Sequence, residues 1–379
     1  MSVIYLRSNA VAPDPRVEKE VNSLLKSGNK VTILAWDRSG STPKNGQIAL
    51  PAGNCTIYRY QGRAGFGHGL RTLPILLKFQ LFLLAKLFKF RNDYKIIHAA
   101  DFDTILPALF MKLILRKKVI YDVYDFYVDA FSVPKILRGF IKKIDLFSMG
   151  VVDGVIITNE SRFEQISGSS PQRICVIHNT PDVSYNINYQ VMTSNKDEFK
   201  INVAYVGILQ PNRLLEEILE VFARNPSWKL DIAGFGVLED LVVSYAGKNP
   251  NIIFHGRISY DDAIRVNSNA DLLFATYDPN VPNHRFSSPN KLYEAMLLSK
   301  PIIVCNSTGI DALVNDEGIG FSIDYSGVSF ECCLKNIQNS KVDLSSMGNK
   351  SRSLYEEKYS WSKMESILND FYKSVLYSK

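Results

Sequence analysis

The stretch from Asn269 to Val304, NADLLFATYDPNVPNHRFSSPNKLYEAMLLSKPIIV, puts a strand, a polar loop, a helix start and a second strand into one unit. Leu272 to Ala275 reads as a buried strand. Ser288 is expected to cap a helix with Pro289 in its first turn, because a serine oxygen satisfies orphan amides and the fixed φ of proline suits that position. A start of this kind points backbone N–H groups past the carboxyl end of the strand, where unpaired donors and the helix dipole favour an anion. A phosphate is the expected guest. Lys291 adds a charge on the first turn, and Glu294, one turn on, could accept hydrogen bonds from a pair of sugar hydroxyls.

The same strand-then-helix rhythm extends in both directions. Before the stretch come a strand at Val203 to Val206, a helix at Arg213 to Phe222 and a strand at Lys229 to Ile232. A helix at Val237 to Tyr245, a strand at Ile252 to Phe254 and a helix at Asp261 to Ser268 follow. After it come a strand at Pro301 to Cys305, a short one near Gly320 to Ile323, and an amphipathic last helix, Trp361 to Tyr377. Earlier in the chain, a strand at residues 2 to 6, a helix from Pro15 to Lys26 and a strand from Val31 to Ala35 make one unit. The apolar runs Ile96 to His98, Lys118 to Tyr121, Val155 to Thr158 and Cys175 to Ile177 then alternate with helical segments. This pattern predicts an α/β protein with parallel sheets covered on both faces. The expected organisation is two doubly wound, Rossmann-like domains, 1–185 and 201–360, joined by a polar linker at 186–200. Ligands would bind in the cleft between them, and the 361–379 helix would cross back to the first domain.

A chain of 379 residues exceeds what one hydrophobic core usually serves, which also favours two domains. Apolar content of 46% with 22% charge describes an ordered globular protein. The five cysteines lack any Cys-x-x-Cys spacing, which argues against zinc and against a disulfide framework and fits a reducing cytoplasm. Met1 runs directly into apolar Val3 to Leu6 with no basic segment before it, so no signal peptide is expected. The net charge of +6 is unevenly spread: residues 1–185 carry ten more basic than acidic residues, the remainder four fewer. No acidic residue occurs from Arg38 to Asn92. Such a half could face nucleic acid, an anionic membrane or an anionic substrate.

Three further features concern a ligand. Gly234-Phe235-Gly236 forms a strand-to-helix turn whose glycines permit close approach of a phosphate or sugar, or simply make a tight turn. A dinucleotide fingerprint would need a third glycine where Glu239 stands, which disfavours a nicotinamide site. In Tyr205 to Arg213, Gly207 leaves room at a strand end, and Arg213 could grip a diphosphate bidentately. The alternative is a surface arginine, although a helix's first turn disfavours a cation. Arg213 and Lys291 lie on two parallel units of one domain, so both could converge on a pyrophosphate, with Glu294 on the ribose.

These segments resemble the retaining GT-B glycosyltransferases of the large bacterial group that builds lipopolysaccharide, capsule and exopolysaccharide (glycosyltransferase family 4-like). The resemblance rests on DPRVEKEVNSLLKSGNKVTILAWDR from Asp14, IIHAADFDTILPALF from Ile96, VIYDVYDFY from Val119 and VIHNTPD from Val176. In the second half it continues through YVGILQPNRLLEEILEVF, DIAGFGVLEDL, IIFHGRISYDDA and SPNKLYEAMLLSKPIIV. It implies a GT-B fold and a nucleotide sugar as co-substrate, UDP- or GDP-linked, with no cofactor and no metal. By the same resemblance Arg213 takes the place of a phosphate-binding lysine, Glu294 that of a ribose-binding glutamate, and Lys291 lies on the diphosphate-cradling helix that starts at Ser288, Pro289, Asn290 and Leu292. The backbone at Arg257 and Ile258 would face the base, and Asp231 to Gly236 would line the floor of the cleft. The chain also departs from the family. Phe286 stands where a sugar-binding glutamate is usual, leaving Ser287, Ser288, Asn290, His284 or Arg285 to substitute. Ile208 replaces a phosphate arginine, and Tyr124 replaces a histidine between Asp122 and Asp125. Tyr124 and Asp125, beside Arg213 and Lys291, are the catalytic candidates. Asp122 and Asp125 could orient an acceptor hydroxyl or merely cap helices. His98, with Asp101, could reach the cleft or serve as a structural hydrogen-bonder.

Residues 71–91, RTLPILLKFQLFLLAKLFKFR, are apolar, basic and free of acids, as are shorter basic segments at 112–118 and 135–143. The uncharged runs are too short for a membrane span. In-plane helices drawn to the anionic inner face of the plasma membrane fit, as do domain helices with snorkelling lysines. Nucleic acid is not expected, because the basic runs lack stacking platforms in a polar context. The expectation is a peripheral cytoplasmic enzyme acting on a glycan acceptor linked to a lipid diphosphate. The rival readings are a non-catalytic partner of the same fold and a nucleotide-sugar epimerase.

Overall fold

The computed structural model describes residues 2–11, 13–64, 73–131, 133–182, 199–340 and 342–377. It divides into two compact units, Met1–His178 with Ser362–Lys379, and Asn179–Trp361. Most of the expected linker, residues 186–198, and Arg71 of the basic run lie outside the described residues.

The first unit holds β1 (Ser2–Arg7), β2 (Lys30–Asp37), β3 (Asn45–Leu50), β4 (Gly53–Gln61), β5 (Ile96–Ala100), β6 (Lys118–Val123), β7 (Gly154–Ile157) and β8 (Ile174–Val176). They run β3-β4-β2-β1-β5-β6-β7-β8 across one sheet. All neighbours are parallel except β3 and β4, an antiparallel hairpin that corrects the expectation of a purely parallel sheet. The sequence concealed β3 because it is an edge strand whose residues alternate only between exposed and half-buried. The helix Pro15–Lys26 shows why local sequence is decisive. Asp14 accepts a hydrogen bond from the amide of Val17, Pro15 opens the first turn, and Val17, Val21 and Leu24 are buried beneath it.

The last helix, Trp361–Leu376, belongs to the first unit from Ser362 onward. It buries Met364, Leu368, Tyr372 and Val375, each apolar side chain contributing roughly 1.5–3 kcal/mol. A methyl group on Gly154 would stand 2.5 Å from Phe371 Cζ, so a side chain there would force Phe371 to move where the helix lies against β7.

The second unit holds β9 (Ile201–Ile208), β10 (Trp228–Phe235), β11 (Ile252–Phe254), β12 (Leu272–Ala275), β13 (Ile302–Cys305) and β14 (Gly320–Ile323), all parallel, in the order β11-β10-β9-β12-β13-β14. In each sheet the unit's first strand is central and the winding reverses beside it, between β1 and β5 and between β9 and β12. Open α/β sheets bind ligands outside the carboxyl ends of strands at such reversals. Two helix starts lie two residues later than expected. The first helix after β9 begins at Leu215, not Arg213, because Leu214 adopts a left-handed conformation with φ 60° and its amide donates to the hydroxyl of Tyr325 at 3.0 Å. The next begins at Glu239, not Val237.

Candidate functional site

The reversal between β9 and β12 brings together the loop 209–214, the loop after β12 and the helix Asn290–Leu297. Pro289 precedes that helix in extended backbone with no side-chain cap, and the Ser288 hydroxyl lies 3.1 Å from that of Tyr293. Ser288 is therefore not the N-cap; its oxygen is turned to a buried tyrosine one turn along. Lys291, half-buried on the first turn, extends its ammonium over the Tyr205 ring, 4.6 Å from the centroid, into the space a side chain at Gly207 would fill. Burial lowers its pKa to about 8; repulsion from Arg213 adds to this and attraction to Glu294 opposes it. The structure thus brings Gly207, Arg213, Lys291 and Glu294 into one electrostatic neighbourhood.

Arg213 sits ahead of its helix, between two residues in the left-handed region, Asn212 (φ 65°) and Leu214 (φ 60°). Non-glycine residues there carry strain that neighbouring contacts must offset. Its carbonyl accepts from Thr276 Oγ1 at 2.6 Å, and its guanidinium lies 4.2 Å over the Tyr277 ring. The guanidinium also reaches His284 Nε2 at 3.0 Å, while His284 Nδ1 faces the Asp278 carbonyl at 2.9 Å. A carbonyl can only accept, so Nδ1 carries the proton and Nε2 receives the arginine's hydrogen. His284 is accordingly a neutral clamp on Arg213 and has no ring nitrogen to spare for a sugar. Phe286 closes the short 3-10 turn Pro282–Phe286, Ser287 donates to the Thr308 carbonyl at 3.1 Å, and Arg285 is exposed. The sequence pointed to His284 but not to Tyr277; its signal was an aromatic two residues beyond a strand's carboxyl end.

Gly234 and Gly236 have φ of 145° and 150°, and a side chain on either would overlap the Gly207 or Leu209 carbonyl. Their glycine requirement therefore comes from the chain's own backbone: the turn after β10 packs on the end of β9, with Leu209 donating to the Phe235 carbonyl at 2.9 Å. Arg257 is exposed and stacks 4.5 Å over the Phe235 ring, with Ile258 half-buried beside it.

In the first unit the reversal between β1 and β5 is filled by charge. Arg7 pairs with Asp14 at 2.9 Å and with Asp101, and Asp101 accepts from the amides of Tyr124 and Asp125. The Tyr124 ring lies between two guanidiniums, Arg7 at 4.2 Å and Arg16 at 4.6 Å, and its hydroxyl is 2.6 Å from that of Tyr5. Burial holds that phenol well above its usual range, so it is a neutral hydrogen-bonder rather than a base. Asp125 is half-exposed and pairs with Arg162 at 3.1 Å. Asp122 is fully buried against Arg16, which corrects the idea that Asp122 and Asp125 act as a pair on an acceptor. His98 is fully buried too, stacked on Tyr5 and 2.6 Å from the Tyr372 hydroxyl, so it is a structural hydrogen-bonder. Among the described residues, Glu20, His98 and Asp122 are the one group whose ligand atoms lie within 4.8 Å of one another. Arg16 already stands 3.1 Å from both carboxylates, so a cation there would have to displace a guanidinium.

Residues 200–329 match the family model described as Glycosyl transferases group 1. This segment is similar to the group 1 glycosyltransferases. The group 1 segment contains β9 to β14 and every residue of the cationic cluster. Staphylococcus aureus CapM, a capsular polysaccharide biosynthesis glycosyltransferase, is 26% identical over 187 residues, covering 45% of this chain; the match spans about half of that relative's length, 46%. Among solved structures, sucrose-phosphate synthase from Thermosynechococcus elongatus superposes with a TM-score of 0.73 at 16% identity, over 99% of both chains. Anabaena HepE in complex with UDP superposes at 0.71 and 13% identity, covering 99% of this chain and 100% of its own. The fold is GT-B.

Proposed function

We propose that the chain is a retaining, metal-independent glycosyltransferase that moves a sugar from a nucleotide diphosphate to a hydroxyl of a glycan acceptor in bacterial surface polysaccharide biosynthesis. The observation that carries the reading is the lodging of Lys291 in the space beside Gly207 with Arg213 next to it, at the reversal of a group 1 segment. Two cations and the amides opening the helix Asn290–Leu297 would neutralise the leaving diphosphate, and Glu294 would bind the ribose. No protein nucleophile is required if the departing phosphate oxygen takes the acceptor's proton, so the protein supplies position and charge. The solved Anabaena protein with UDP and the capsular relative support a UDP-linked donor and a polysaccharide product; GDP is the alternative. A glycan on a lipid diphosphate is the acceptor we favour, which would place the reaction at the cytoplasmic face of the plasma membrane.

Phe286, in place of a glutamate, favours one second reading, a non-catalytic partner that binds nucleotide without turnover. Titrating the chain with UDP and GDP, then following diphosphate release from a panel of nucleotide sugars with and without lipid-linked acceptor, tests both. Release with any donor supports the transferase; tight nucleotide binding without release across donors and acceptors supports the partner; no binding of either nucleotide overturns both.

A further inference from the structure

The first unit carries three helices, Leu73–Lys89, Phe102–Leu115 and Lys135–Val151, packed in sequence so that the middle one touches both others. Each exposes an apolar stripe. On the first, Leu73, Leu77 and Leu81 are 46%, 55% and 65% exposed; on the second, Leu106, Phe110 and Leu113 are 47%, 44% and 70% exposed. On the third, Ile136, Phe140 and Phe147 are 94%, 63% and 70% exposed. Spacings of three, four and seven residues place each set on one side of its helix.

The charges around these stripes have one sign. Lys78, Lys135, Lys142 and Lys143 are exposed, and Arg138 is exposed while pairing with Asp129 at 3.0 Å. The helices' acids are hidden: the first has none, Asp103 of the second is buried, and Asp145 of the third is buried against the Tyr121 hydroxyl at 2.7 Å. A face of large apolar side chains with lysines and without exposed carboxylates complements a surface that is apolar beneath and anionic at its boundary. A second copy of the chain is a poor match, since a self-complementary contact would set lysine against lysine. No helix among the described residues is long and apolar enough to cross a membrane.

We infer that these three helices dock the protein in the plane of an anionic bilayer, the apolar stripes entering the headgroup boundary and Lys135, Lys142 and Lys143 meeting lipid phosphates. Docking is a property of this face alone and does not depend on the donor site.

The test is flotation of the full chain with vesicles of pure phosphatidylcholine and of phosphatidylcholine containing about one third phosphatidylglycerol. Binding is expected only to the anionic vesicles and is expected to weaken in high salt. Lys142→Ala with Lys143→Ala should lower partitioning about 25-fold, from about fivefold per charge. Ile136→Ser with Phe140→Ser should abolish binding, with unchanged circular dichroism and melting, because both side chains already face solvent. Equal binding to both vesicle types, no binding to either, or lysine substitutions that change oligomeric state and leave flotation unchanged would each overturn the proposal. Retained flotation in Lys291→Ala, whatever becomes of nucleotide binding, separates this face from the donor site.

Discussion

The ammonium of Lys291 occupies the volume that a side chain at Gly207 would need. Gly207 lies on β9 and Lys291 on the helix after the β12 loop, so two parallel units define one position for one charge. Gly207→Ala should therefore displace Lys291 while leaving the strand intact, since Gly207 has no left-handed φ to preserve. Loss of a charge-assisted contact of about 1.5–3 kcal/mol would weaken nucleotide binding roughly 10- to 100-fold. Calorimetric titration with UDP and GDP, beside a melting curve, checks this; unchanged affinity would separate the lysine from the diphosphate.

The depressed pKa of Lys291 gives the site a pH dependence. Its charge is present below about 8 and lost above it, so diphosphate affinity should fall as pH rises through that value. Lys291→Arg should flatten the profile, because a guanidinium stays charged. The stability effect runs the other way. Burying the charged lysine costs stability fully below about 8, and the cost disappears towards its ordinary value of 10.5. Binding and melting measured from pH 6 to 10 should thus show opposite trends.

His284 holds Arg213 through a neutral ring nitrogen. His284→Ala removes the acceptor and frees the guanidinium from Tyr277's side of the loop. We expect the apparent KM for the donor to rise about five- to tenfold, the value of one ordinary hydrogen bond of about 1 kcal/mol, with little change in melting. His284→Gln, which keeps an acceptor, should restore part of the loss. Steady-state kinetics of the two variants decide whether the contact positions Arg213.

The pKa of Glu20 is displaced upward, opposite to the shift of an ion-paired surface carboxylate. Burial, aided by Asp122, raises it to about 7 against 4.5 unpaired, so the folded state holds an extra proton between those values. Its contribution to stability is full below 4.5 and is lost as pH rises through 7. Glu20→Gln should remove that part of the pH slope while keeping the hydrogen bond to Tyr5 available. Denaturant melts of both proteins from pH 4 to 8 are the measurement.

The sheets were legible because buried parallel strands are near-continuous apolar runs: Ile96–Ala100 and Ile302–Cys305 are buried at every position. The hairpin β3–β4 was not, since edge strand β3 has no buried residue and in β4 only Cys55, Ile57 and Arg59 are buried. Lys291 and Glu294 could be placed from a helix start and one helical turn. Tyr277, and the clamp His284 makes on Arg213, depend on how the fourteen residues 276–289 fold over themselves, and no periodicity encodes that. Gly234 and Gly236 were recognised as a tight approach, but only coordinates reveal the approaching group as the chain's own carbonyls. The N-cap expected at Ser288 is not formed: Pro289 stands at that position, and the Ser288 hydroxyl lies 3.1 Å from that of Tyr293.

The bond between His98 and Tyr372 joins residues 274 positions apart. During synthesis, β1 to β8 emerge with His98 aimed at a partner that has not yet been translated, and the second unit is completed before that partner leaves the ribosome. The first unit to be made is consequently the last to close. A nascent chain halted at Trp361 would lack Met364, Leu368, Tyr372 and Val375 and would leave the first-unit side chains they pack on uncovered, with the second unit already complete.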